Sequence, residues 1–329
     1  MYLPKGKTKN TEDTEMKNTE KQIAGIKSQT IGVEVEMNNI TRMKAAKVAA
    51  EFFGTNRAED TANRNGYCTW SAWDAQGREW KFQRDCSIQG DYSQQCELVT
   101  PILNYSDIET LQELIRRLRK AGAKSDATRG CGVHIHIGAN GHTAQTLRNL
   151  ANIMASHEKL LASALKLDQR RIASYCRMVD ERFLNELNSK KPKTMAKLAD
   201  IWYGSQGNNS GRNEHYHSSR YHMLNLHATF TKGTIEFRLF QFDAPTAGRK
   251  GGLHAGQLKS YIQLCLALSA LAKNAKSASP KPQQTDNPKY AMRTWLLRLG
   301  FIGDEFKTAR ETFTKRLSGD ASFRQSRTA

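Results

Sequence analysis

The segment Ile31-Gly32-Val33-Glu34-Val35-Glu36-Met37 alternates without a break, with Ile31, Val33, Val35 and Met37 on one side and Gly32, Glu34 and Glu36 on the other. Successive side chains of a strand point to opposite faces, so the pattern predicts a strand with one apolar and one polar face. Glu34 and Glu36 project together from the polar face, a like-charge pair that repels unless a cation lies between them. Carboxylate oxygens in that position suit Mg²⁺ or Mn²⁺.

Two other segments repeat the pattern. In Gly132-Val133-His134-Ile135-His136-Ile137 the two histidines share a face while Val133, Ile135 and Ile137 turn toward a core. A neutral imidazole there could ligate a metal or touch a phosphate. In Thr234-Ile235-Glu236-Phe237-Arg238-Leu239-Phe240, Glu236 lies beside Arg238, so a carboxylate for metal and a guanidinium for phosphate share a face. Each piece alone also has an ordinary reading, as an exposed carboxylate, a polar sheet surface or a surface ion pair. Their joint occurrence points to a site.

The other elements are placed by periodicity and punctuation. Thr41 precedes an amphipathic helix, Met43 to Phe53, closed by Gly54. Tyr67 to Trp73 and Arg78 to Arg84 flank Asp74-Ala75-Gln76-Gly77 as a hairpin, and a strand follows around Cys96 to Val99. Ser106-Asp107-Ile108-Glu109 has the spacing of a capping box that opens a helix ending near Gly122. Helices are expected near 143–167, 178–188 and 194–203, followed by a Gly, Asn, Ser and His-rich loop from Ser205 to Ser219. Tyr221 to Phe230 and Thr234 to Gln241 read as a second hairpin, and helical patterns at 254–273, 290–299 and 304–317 finish the chain. The domain reading is a disordered polar tail over 1–28, a catalytic domain over 29–275, and a linker with a basic helical extension over 276–329.

Composition excludes several classes. The longest apolar run, Ile262 to Ala272, is roughly half the ~20 residues a membrane span needs, so no membrane partner is expected. Residues 1–28 hold no apolar block of the kind a signal peptide requires. Six cysteines without a Cys-x-x-Cys pair argue against a zinc ribbon or dithiol redox motif, and fit free thiols in the cytoplasm. The formal charge of +18 implies an anionic partner, and residues 243–329 carry fifteen Lys or Arg against six Asp or Glu, a net +9. Solvated helix faces are an equal reading of that excess.

Taken in order, Gly32-Val33-Glu34-Val35-Glu36, Asp85 to Ser87, Glu97-Leu98-Val99-Thr100-Pro101, Gly130-Cys131-Gly132-Val133-His134-Ile135-His136 and Glu236-Phe237-Arg238 resemble the amidoligase family, relatives of glutamine synthetase and glutamate-cysteine ligase. The resemblance spans about residues 30–242. It implies an α+β fold, a curved antiparallel β-sheet of the glutamine synthetase/guanido kinase catalytic type covered on one face by helices. It implies an ATP-dependent carboxylate-amine ligase that uses Mg²⁺ or Mn²⁺ and passes through an acyl phosphate, acting on small-molecule or peptide carboxylates and amines. By position, Glu34, His134 and Glu236 resemble the ligands of the metal nearer the phosphates, Glu36 and Glu97 those of the metal nearer the substrate, and Asp85 a third ligand there. Arg238 resembles the arginine on the transferred phosphoryl group and His136 the histidine against the nucleotide phosphates, while Arg220 and Asn225 are candidates to contact substrate or nucleotide.

The remaining His215, His217 and His222 read as loop polars, Trp70, Trp73 and Trp80 as packing, and Ser205 to Ser219 as a lid or a disordered connection. Two alternatives compete: a phosphotransferase on the same fold, and a basic nucleic-acid-binding protein, ranked lower because no base-reading motif is present.

Overall fold

The computed structural model describes residues 9–323 except 65, 206, 208, 215, 249 and 283. Its strands are β1 (Ile31–Met37), β2 (Ala58–Asp60), β3 (Trp70–Trp73), β4 (Glu79–Gln83), β5 (Cys96–Val99), β6 (Val133–Gly138), β7 (Leu224–Asn225) and β8 (Thr234–Phe240). Its helices are α1 (Lys9–Lys27), α2 (Arg42–Phe52), α3 (Ile108–Lys120), α4 (Ala144–Leu165), α5 (Gln169–Ser174), α6 (Glu181–Lys190), α7 (Met195–Ser205), α8 (His227–Thr231), α9 (Ala255–Asn274), α10 (Pro288–Arg298) and α11 (Lys307–Thr314). The fold is α+β. Among the described residues the strands make one eight-stranded sheet, ordered β2-β3-β4-β5-β1-β6-β8-β7, with every pairing antiparallel.

Register follows from the alternation. Val33, Val35, Leu98, Ile135, Ile137, Ile235 and Phe237 are buried on the core side, each contributing about 1.5–3 kcal/mol on burial. A one-residue slip of any central strand would carry that whole set to the other face, which holds the pairing in place. The resulting partners are Glu34 opposite His134, Glu36 opposite Glu97, and His136 opposite Glu236. α2 approaches β2, β3 and β4 through Ala45, Ala46, Ala49 and Ala50, whose small side chains permit close contact. α9 is buried on nearly all sides, as its apolar sequence requires, because α1, α3, α4, α11 and β6 all pack on it.

Three segments depart from the sequence reading. Residues 9–27 of the supposed tail are helical, and the second half of α1 docks on α9: Ile26 is buried, the Gln22 amide donates to the Ala267 and Leu299 carbonyls, and Gly25 lets Ala270 come close. Three anchoring residues in a polar helix give too faint a stripe to read alone. The first arm of the second hairpin shrinks to β7, because the Asn225 side chain accepts from the His227 amide and starts α8. The cap before α3 lies earlier than expected, where the Asp107 carboxylate accepts from the Asn104 amide (2.8 Å) and also takes both Arg78 amino groups. β2 and α5 were not anticipated. In the C-terminal region, Ala309, Thr312 and Phe313 of α11 are buried against α9 and α4, and Trp295 of α10 stacks on His157 of α4, centroids 3.9 Å apart. No helix among the described residues is long and apolar enough to cross a membrane, and the six cysteines are free.

Glu158 of α4 is buried and accepts two contacts from the Val179 amide, at 3.0 and 3.2 Å. Burial pushes its carboxyl from 4.5 up to about 7. The folded state therefore holds this proton more tightly than the unfolded one, and the contribution is complete below about pH 4.5 and lost as pH rises through 7. Glu158→Gln keeps the acceptor without the charge. It should flatten the fall in stability between pH 5 and 8 and gain about 3 kcal/mol at pH 8, read by denaturant unfolding. An unchanged pH slope would show that Glu158 does not set it.

Candidate active site

The polar face of the central strands is not a wet surface. Glu36 and Glu97 are each 4% exposed, His134 4%, His136 7%, Glu236 2% and Arg238 5%. Their ligand atoms converge in three overlapping groups, each within 4.8 Å: Glu34 with His136 and Glu236, Glu34 with His134 and Glu97, and Glu36 with Asp85 and Glu97. All six residues read as metal ligands thus come together, joined by His136.

The resemblance pairs His134 with Glu34 and Glu236, and both imidazoles of β6 adjoin that pair. His134 Nδ1 lies 2.9 Å from Glu34 Oε2 and 3.9 Å from Glu236 Oε1, and its Nε2 is 3.7 Å from Glu36 Oε1. His136 Nε2 lies 3.3 Å from Glu34 Oε1 and 3.9 Å from Glu236 Oε1. Strand period explains this, since β6 sets both imidazoles on one face between β1 and β8. The Asn225 amide donates to Glu236 Oε2 (2.6 Å) while its side-chain carbonyl accepts from the His227 amide, so it orients a carboxylate of the site. Arg220 stands outside the three groups, stacked on Tyr216 and Tyr221, and Tyr221 also faces the Arg238 guanidinium. His217 and His222 are buried around Ser219 and belong to none of the groups, and His215 lies outside the described residues. Trp80 is core and donates to Asp74, Trp73 is buried under Arg57, and Trp70 packs at the core margin.

Supporting contacts hold each ligand in place. Glu36 Oε2 accepts from the Gly132 amide (2.6 Å), Gln83 donates to Glu97 Oε2 (2.8 Å), the Ser87 amide donates to Asp85 (2.7 Å), and His136 Nδ1 meets Thr234 Oγ1 (2.9 Å). Arg171 of α5 was missed by sequence reasoning. Its guanidinium occupies the space a Cβ on Gly132 would need and donates to the Arg238 and Phe240 carbonyls, so it braces β6 against β8. The only trace in the sequence is the glycine just before the His-x-His strand. Within Ser205 to Ser219, the Tyr216 hydroxyl meets that of Tyr67 in the loop before β3, and Trp202 of α7 donates to the Ser219 hydroxyl.

The ionisation of the cluster follows from its crowding. Burial raises Glu97, and the charges of Glu34, Glu36 and Asp85 push it higher still, well above the usual carboxylate range. Burial would raise Glu34 as well, but the His136 charge and the His134 hydrogen bond outweigh it and hold Glu34 low. For Glu236, Arg238 and His136 outweigh burial and bring it down to about 2. His136 is raised because Glu236 and Glu34 outweigh its burial.

The donor set suits a hard divalent cation, being mostly carboxylate oxygen with an imidazole that Mn²⁺ tolerates better than Mg²⁺. His136 Nε2 supports the fit. It is buried without a hydrogen-bond partner, although Glu34 Oε1 is 3.3 Å away and Glu236 Oε1 3.9 Å away.

The family described as "Putative amidoligase enzyme" matches residues 27–269. The chain belongs to this amidoligase family. The five motifs that carried the resemblance all lie within the matched span. No curated protein matches the sequence. Among solved structures, a bifunctional glutathione synthetase from Pasteurella multocida is similar at 13% identity and a TM-score of 0.40, over 90% of this chain and 48% of that one. The chain thus spans about half the length of that enzyme.

Because Glu97 and His136 hold protons tightly, a divalent cation must displace protons to bind. Apparent Mn²⁺ affinity of this amidoligase should rise with pH, and calorimetry in buffers of different ionisation enthalpy should register proton release. Glu97→Gln should release fewer protons and bind about tenfold or more weakly. Binding without proton release would contradict this ionisation pattern.

Proposed function

We propose that this amidoligase is an ATP-dependent carboxylate-amine ligase working through an acyl phosphate, on a sheet of the glutamine synthetase/guanido kinase type. The observation that carries the reading is the convergence of Glu34, Glu36, Asp85, Glu97, His134, His136 and Glu236 on one buried face, with Arg238 beside them.

Glu34, His136 and Glu236 would hold the Mg²⁺ or Mn²⁺ nearer the phosphates, and Glu36, Asp85 and Glu97 the one nearer the carboxylate substrate. When bound, such ions supply charge neutralisation to phosphoryl oxygens. The chain's own residues supply the rest. Arg238 stays cationic, because Glu236 and Glu34 outweigh the burial that would lower its pKa. It is paired to Glu236 through one amino group, while its Nε has no partner. That leaves a fixed, positively charged donor at the site for a phosphoryl group in transfer. A substrate carboxylate oxygen attacks the terminal phosphorus of ATP and ADP leaves. An amine nitrogen then attacks the acyl carbon and phosphate leaves. Holding carboxylate and phosphate in line removes much of the entropic barrier, so no protein nucleophile is needed. The Ser205 to Ser219 segment, tied to Tyr67 through Tyr216, is suited to keeping water from the acyl phosphate.

The test is a screen of carboxylates and amines for Mg²⁺-dependent phosphate release from ATP, with mass spectrometry of the products. An amide formed with one phosphate per turnover is expected. A phosphorylated product without an amide would make the enzyme a phosphotransferase, and salt-dependent DNA binding with no ATP turnover would favour a nucleic-acid role. Glu34→Ala and Glu236→Ala should abolish turnover without unfolding the chain. Arg238→Lys should lower kcat about a hundredfold or more, since a lysine cannot reproduce the guanidinium fork. Unchanged turnover in any of the three would count decisively against the assigned role.

A further inference from the structure

A second constellation lies beyond the end of β8. Residues following β8, the end of α4, the start of α9 and the residues just after α11 line a cavity of about 890 Å³. Small-molecule sites occupy roughly 300–1,000 Å³. The cavity shares no lining residue with the three convergent groups of the strand face.

Its lining is strongly basic, with Arg119, Lys166, Lys250, Lys315 and Arg316. Two acids face them, and both are compensated. Asp168 pairs with Arg170 (3.2 Å), and Asp243 pairs with Arg316 and lies 3.8 Å from Lys315. Arg119 donates to the Gly251 and Leu253 carbonyls, contacts that fix the loop without neutralising charge. No carboxylate among the described lining residues is left to balance Arg119, Lys166 and Lys250.

The second observation is Gln257. It lines the cavity in the first turn of the twenty-residue α9, is 3% exposed, and its amide nitrogen finds no hydrogen-bond partner. Against its burial, Asp243 is held below the usual carboxylate range first by Arg316 and then by the nearby Gln257 amide, whose nitrogen meets no acceptor in hydrogen-bond geometry. A buried donor left unpaired costs about 1–3 kcal/mol, and an oxyanion would satisfy it. The N-terminus of α9 adds backbone dipole of the same sign.

The structure assigns this cavity to a small molecule bearing phosphoryl groups, bound by Gln257, Lys166 and Lys250 at the N-terminus of α9. Compact tetrahedral oxyanions of multiple charge match several cations gathered around one helix end better than dispersed planar carboxylates do.

The test titrates the full-length protein with tripolyphosphate in EDTA, by calorimetry, with citrate at matched ionic strength as the carboxylate comparator. EDTA removes divalent ions, so the result does not depend on the strand-face reading. Saturable tripolyphosphate binding is expected. Gln257→Leu and the exposed Lys250→Glu should each weaken it about tenfold or more, and Glu34→Gln should leave it unchanged. Lys250→Glu lies on an exposed loop, so it stands as a test even if Gln257→Leu perturbs folding. Absence of saturable binding, citrate binding as tightly as tripolyphosphate, or loss in Glu34→Gln with retention in the cavity variants would each overturn the assignment.

Discussion

Five carboxylates and two imidazoles crowd one sheet face, and the rest of the molecule is arranged around that electrostatic constraint. Moving a carboxylate out of water costs several kcal/mol unless it is paired. Here burial and the charges of Glu34, Glu36 and Asp85 push Glu97 well above the usual carboxylate range, and Glu34 leans on two histidines. The arrangement is costly to fold without a counter-charge, and it is the one a divalent cation would relieve. A strand scaffold suits it because period-two geometry lets β1, β6 and β8 present polar groups to one side while Val33, Ile135 and Phe237 anchor the other side in the core.

The braces matter as much as the ligands. Gly132 does three jobs at one position: its amide donates to Glu36, its carbonyl accepts from the Glu36 amide, and its missing side chain makes room for Arg171. Arg171 in turn grips the carbonyls at the end of β8, the strand that carries Glu236 and Arg238. Asn225 and Thr234 fix Glu236 and His136 from β7 and β8. A ligand held this way loses little entropy when it binds, which is how a site reaches useful affinity with few charges.

Much of the centre was legible in the sequence because strict alternation leaves few choices. The bounds of β1 and of Cys96–Val99 follow directly from the pattern, and Glu34, Glu36, Glu97, His134, His136, Glu236 and Arg238 all reach the shared face that period two gives them. What stayed hidden depends on partners distant in the chain. Arg171 sits in an ordinary Gln-Arg-Arg run and acquires meaning only from Gly132. α1 is held by Gln22, Gly25 and Ile26 against α9, more than 240 residues away. α8 replaces a predicted strand because one side-chain hydrogen bond from Asn225 competes with the sheet ladder, as Asn does near turns and caps. The basic cavity is assembled from five separate segments, and of its charge only Lys250, Lys315 and Arg316 belong to the excess visible in the last quarter of the chain.

The central claim is that these buried groups are a metal-binding face, and the most direct measurement of it is anomalous diffraction from crystals of the full-length protein grown with Mn²⁺, recorded at the manganese absorption edge. The account predicts a peak bounded by Glu34, His136 and Glu236, and a second bounded by Glu36, Asp85 and Glu97. Manganese found only elsewhere on the molecule, with both positions empty at saturating concentration, would contradict it.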